Sequence, residues 1–110
     1  MIRWPAVVSM DGDAELIYVA DQHDWEDGGR CHPLYARADY LLDATGRVYR
    51  LALTDTGDVR VEASGDSRTL PDVLGLVKAH AAQSGSCCVA KLYAPSIRQA
   101  LELVKSIDDQ

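Results

Sequence analysis

The sequence predicts an α+β fold: a mostly antiparallel sheet of five to six strands with two helices on one face, in the order β-β-β-β-β-α-β-α. Three observations carry this. Two apolar runs flank an Asp-Gly turn near the N-terminus. Short runs of alternating character, parted by Gly-containing turns, fill the middle. Two stretches with helical spacing of apolar residues occupy the C-terminal part.

The first pair is "PAVVSM" and "ELIYVA" around "DGD", which reads as a β-hairpin. Pro5 precedes the first strand, where its missing N–H does least harm. Ile2 and Trp4 lie on one side of an extended chain and prolong that strand's buried face. Between Asp21 and Ala38 the chain is polar and irregular. Asp21 is placed to cap a short helical turn, with Asp24 favourable at the positive end of its dipole, and Gly28-Gly29 to end it. Pro33 disfavours helix at His32.

From Asp39 the pattern is a meander: "DYLLDA", "VYRLAL" and "VRVEA", joined at "TGR" and "TDTGD". Gly46 and Gly57 supply the positive-φ positions that such turns need. Val59, Val61 and Ala63 alternate with Arg60 and Glu62, so this strand has one wet face; Tyr49, Leu51 and Leu53 form a similar stripe. After a loop from Ser64, Thr69 is the expected N-cap of a helix, with Pro71 and Asp72 in its first turn. Val73, Leu74, Val77 and Ala81 make its apolar face, and Gly85 stops it. "CCVAKLY" then reads as a short apolar strand, expected to pair in parallel through a right-handed crossover. The closing helix buries Ile97, Ala100, Leu101, Val104 and Ile107.

A chain of 110 residues points to a single α+β domain, residues 1–110, able to bury one core without disulfides or metals. Acidic residues outnumber basic ones 17 to 11, for a net charge of −6. Basic residues are scattered, which disfavours nucleic acid and anionic membranes. The N-terminal apolar run is short and broken by acids, unlike a signal peptide. Three cysteines, two of them adjacent, do not suit a disulfide framework, so the expected compartment is the cytoplasm.

The stretch "DQHDWEDGGRCH" is the most unusual passage. His23, Cys31 and His32 are possible zinc ligands, but structural zinc sites want paired ligands at short spacing, and adjacent Cys31 and His32 diverge on an extended chain. The same divergence weakens a thiolate–imidazolium pair there. "DGDAE" begins like a calcium loop, yet Leu16 and Gln22 stand where that loop needs Gly and Glu. Cys87 and Cys88 alternate on a strand and form no redox C-x-x-C pair. Asp21, Asp24, Glu26 and Asp27 read as solvated acids. Phosphate-loop, dinucleotide and nucleophile-elbow motifs are missing, so no cofactor, metal or catalytic residue is assigned. Trp25 either folds back to anchor its loop to the core or, exposed beside Arg30 and His32, marks a partner-contact surface.

The segment "IRWPAVVSMDGDAELIYV" resembles a family of small uncharacterised bacterial proteins, at Trp4, Pro5, Gly12, Asp13, Glu15 and Leu16. That resemblance implies a bacterial, stand-alone α+β domain and brings no catalytic residues. The leading functional expectation is a cytoplasmic, non-enzymatic binding or regulatory module that contacts another protein through Trp25, Arg30 and His32. Two alternatives stand beside it. One is a small metal- or thiol-dependent enzyme using His23, Cys31 and His32. The other is an acidic, immunity- or antitoxin-like protein that neutralises a basic partner.

Overall fold

The structure, a computed structural model, describes residues 2–10, 14–29, 39–53, 59–85 and 89–109. It holds a five-stranded, wholly antiparallel sheet in the order β2-β1-β3-β4-β5. The strands are β1 (Ala6–Ser9), β2 (Leu16–Val19), β3 (Tyr40–Asp43), β4 (Arg47–Leu53) and β5 (Val59–Ser67). The expected turns at Asp11–Asp13 and Thr54–Asp58 lie outside the described residues, as do Pro33 and the side chain of Leu53.

Among the described residues the α-helices are α1 (Gln22–Asp24), between β2 and β3, and α2 (Leu70–Gln83) and α3 (Ile97–Asp108), after β5. Local signals place the two long ones. Thr69 and Asp72 form a reciprocal capping box at the start of α2, each side chain accepting from the other's main-chain N–H. The Asp72 carboxyl is held below its ordinary range first by the main-chain N–H of Thr69 and then by the Thr69 hydroxyl. Gly85, at φ +80°, follows the last turn of α2. Ser96 caps α3 by accepting from the Gln99 N–H.

Period-two alternation divides the sheet's side chains between its faces. Val7, Leu16, Leu42 and Val48 point to one face and meet α2 and α3. There they pack with Val73, Val77 and Ala81 of α2 and with Ala100, Leu101, Val104 and Ile107 of α3. Leu74 and Ile97, expected in the buried stripes, are only partly buried at their rims. Ala6, Val8, Val19, Leu41, Tyr49 and Leu51 point to the other face and form a second cluster around Trp25, with Ile2 and Trp4 packed beside it. The sheet is therefore apolar on both faces, and among the described residues the long helices cover one of them.

Two departures from the sequence reading concern element type. The segment expected to be a sixth, parallel strand is, in its described part, a 3-10 turn at Val89–Lys91, closed by Leu92 N–H donating to Val89 O. Short apolar runs do not distinguish a strand from a buried turn. Here Val89 and Leu92 pack against the helical cluster and use their apolar character there. Cys87 and Cys88 lie outside the described residues.

The second departure is β5, which continues through "SGDS" to Ser67 where a loop was expected. Its register against β4 shifts between Arg47 and Tyr49, so β5 bulges. The Ser64 hydroxyl donates to Val48 O at 2.8 Å and accepts from Asp66 N–H, while Gly65 takes φ +85°. Loop-like composition thus makes a bulge within a strand.

Candidate binding groove

The second sheet face is covered unevenly. Over β1 to β3 it is sealed by Trp25, which is 4% exposed. Asp21 makes this possible. Its carboxylate accepts from Asp24 N–H at 2.8 Å and starts α1, Asp24 in turn accepts from Ala20 N–H, and the chain winds on as a π-helical turn, Trp25–Gly29. That winding turns the indole toward the sheet and leaves Gln22, His23, Asp24, Glu26 and Asp27 exposed. Of the three residues expected to form a contact surface, Trp25 is an anchor, buried in this structure. Arg30 and His32 lie outside the described residues.

Toward β4 and β5 the cover is incomplete. Tyr49 and Ala63 face each other in register on this side, with Val61 beside them. Ile2 and Trp4 form one wall and Gln22 of α1 another. Together they enclose an open groove of about 620 Å³. Its lining side chains are apolar or aromatic, with the Gln22 amide, the Trp4 indole N–H and the Tyr49 hydroxyl as their polar groups. The amide donates to the Glu26 carboxylate at 3.2 Å, which sets an acid at the groove's rim. A smaller hollow of about 370 Å³ lies at the β5 bulge, between Arg47, Val48, Ala63 and Ser67.

The Tyr49 hydroxyl is committed beneath the groove. It donates to Asp43 Oδ2 at 3.2 Å. Asp43 is fully buried, and its two oxygens also accept from the N–H groups of Arg3, Thr45 and Arg47 and from the Thr45 hydroxyl at 2.6 Å. Burial pushes this carboxyl up, but the Thr45 hydroxyl and the three main-chain donors together outweigh it and hold it below its ordinary range. Burial first, and then the Asp43 charge, push the Tyr49 hydroxyl up. Asp43 therefore acts as an ionised hub that ties the N-terminal segment to the β3–β4 turn and fixes one groove residue.

His23 sits on the outer side of α1, its Nε2 3.1 Å from Asp27 Oδ2 on an exposed i,i+4 pair. Cys31 and His32 lie outside the described residues, and so do Asp11 and Asp13 of the calcium-like stretch. Among the described residues no cluster of three or more His, Cys, Asp or Glu side chains is placed to hold a metal.

The sequence reading passed over Asp43 and His80. His80 lies inside the helical core, with Nδ1 accepting from Leu16 N–H and Nε2 against Asp108 Oδ1. A signal for it existed: His80 falls three residues after Val77, on the buried stripe of α2.

The family model DUF4144, a protein structure with unknown function, matches residues 4–104. The chain belongs to the DUF4144 family. Of the groove lining, Trp4, Gln22, Tyr49, Val61 and Ala63 fall within the matched range of the DUF4144 model, and Ile2 lies just before it. No curated protein matches the chain. Among solved structures, the chain is similar to the NMR structure of a protein from Shewanella amazonensis, with a TM-score of 0.70 and 22% identity over 96% of this chain and 90% of that one. That likeness shows the α+β fold. Among the described residues, no helix of this DUF4144 chain is long and apolar enough to cross a membrane.

Proposed function

We propose that this chain is a small, bacterial, cytoplasmic binding module, non-enzymatic, whose contact surface is the groove between the N-terminal segment and strands β4 and β5. One observation carries the reading: an apolar groove of about 620 Å³ where the cover of the second sheet face is incomplete. Its size lies in the range of small-ligand and side-chain pockets, and its lining has the expected balance of many apolar groups and few polar ones. Tyr49 and Trp4 offer rigid aromatic area, the kind that concentrates binding energy. The Tyr49 hydroxyl, already donating to a buried carboxylate, is poorly placed for proton transfer to a guest. The segment around Asp21 remains part of the surface through Gln22, which supplies a wall of the groove.

The test is a two-dimensional NMR titration with short neutral peptides that carry one central Leu, Phe or Trp flanked by glutamines. The expected result is saturable shifts at Ile2, Trp4, Tyr49, Val61 and Ala63. Shifts confined to α2 and α3, or no shifts with any of these peptides, overturn the reading.

A further inference from the structure

We infer that the groove's partner is a basic segment of another protein: an apolar anchor residue flanked by lysines or arginines. This rests on the groove being a binding surface and names what fills it. The argument is charge complementarity. The wall supplied by Gln22 belongs to a turn whose exposed side chains include Asp21, Asp24, Glu26 and Asp27. Glu26 is held at the rim by its bond from the Gln22 amide. His23, on the same turn, stands with Nε2 3.1 Å from Asp27 Oδ2. On β5, Arg60 and Glu62 alternate away from Val61 and Ala63 and pair with each other at 3.4 Å, so they cancel locally. Arg3, Arg50 and Arg60 each adjoin a lining residue in sequence, and strand alternation turns Arg50 and Arg60, with Glu62, to the sheet's other face. The whole chain carries −6, so a second copy would bring like charge to the same rim.

Three peptides sharing a central Leu and flanked by lysines, glutamines or glutamates test this by NMR titration, at low salt and in about 0.5 M salt. The lysine-flanked peptide is expected to bind about tenfold more tightly than the glutamine-flanked one at low salt, and the two to converge at high salt. Both are expected to shift Val61 and Ala63, and the lysine-flanked peptide alone to shift residues 21–27 as well. In the double variant Glu26→Gln, Asp27→Asn the ratio of lysine-flanked to glutamine-flanked affinity is expected to fall from about tenfold toward one. Equal binding by lysine- and glutamine-flanked peptides overturns the basic partner and leaves the groove reading standing. Shifts at residues 21–27 without Val61 and Ala63, or no shifts at all, overturn both. Groove shifts that follow protein concentration alone assign the surface to a second copy and overturn the basic partner.

Discussion

The Nδ1 atom of His80 accepts a hydrogen bond from the main-chain N–H of Leu16, 2.9 Å away and 64 positions apart in the chain. An N–H only donates, so the ring's proton belongs on Nε2, where it reaches Asp108 Oδ1 at 2.8 Å. One imidazole thus ties the edge strand β2 to α2 and to the last turn of α3. It is 1% exposed, whereas Asp108 is 45% exposed on its side chain.

Removing the acceptor strands a buried donor. His80→Leu is expected to cost about 2–4 kcal/mol, from the unsatisfied Leu16 N–H and imperfect packing. In His80→Asn the side-chain oxygen stands near the place of Nδ1 and keeps the bond to Leu16, so the loss should fall to about 1–2 kcal/mol. Asp108→Asn keeps an acceptor at a half-exposed position and should cost less than about 1 kcal/mol. Urea unfolding of the three variants checks this order; a His80→Leu protein as stable as wild type refutes it.

Asp43 makes acid stability specific. Its carboxyl lies below the ordinary value of 3.8 in the folded chain. The stability from this shift is fully present above that value and is lost as pH falls through the lower, folded one. Asp43→Asn faces several N–H donors with an amide and should destabilise the protein by about 2–3 kcal/mol at neutral pH. The gap between variant and wild type should narrow as the pH falls below 3.8. Chemical unfolding measured at several pH values reads both limbs.

Three glycines separate backbone strain from steric clash. Gly46 has φ +89°, and a Cβ there would collide with the main-chain oxygen of Arg68. Gly46→Ala is expected to lose about 2–4 kcal/mol. Gly65 has φ +85° with open space around it, so Gly65→Ala should lose about 1 kcal/mol from conformation alone. Gly75 lies within α2, exposed and unobstructed, and Gly75→Ala should stabilise by about 0.5–1 kcal/mol. Thermal unfolding ranks the three.

The two tryptophans should report separately. Trp25 is buried and Trp4 half-buried at the groove. Trp4→Phe is expected to leave blue-shifted emission that acrylamide quenches poorly, and Trp25→Phe to leave emission that quenches readily. Trp25→Ala should cost about 3–5 kcal/mol by emptying the second cluster. Equal quenching in the two Phe variants would contradict an inward Trp25.

Much of the frame was legible from neighbouring residues. The Thr69 cap of α2, the apolar stripe of α3 and the β3–β4–β5 meander follow from spacings that a short window contains. Ile2 and Trp4 share the second face, as their spacing implies. The groove was less legible: Tyr49 and Val61 read as sheet residues, and only pairing of β4 with β5 beneath the N-terminal segment makes them a surface.

The sequence by itself determined the long helices, the five observed strands apart from the Ser64–Ser67 extension of β5, and which of their faces are apolar, because capping, turn chemistry and periodicity act over a few residues. The tertiary structure decided the rest. Trp25 turns inward because a sheet face lies open to it. Asp43 stays ionised while buried because Arg3, 40 positions away in sequence, adds a donor to those of Thr45 and Arg47. His80 stands in the core because β2 supplies Leu16 N–H there. Val89–Lys91 turns instead of pairing, with its apolar neighbours packed against the helices. Each depends on partners distant in sequence, and no local window holds that information.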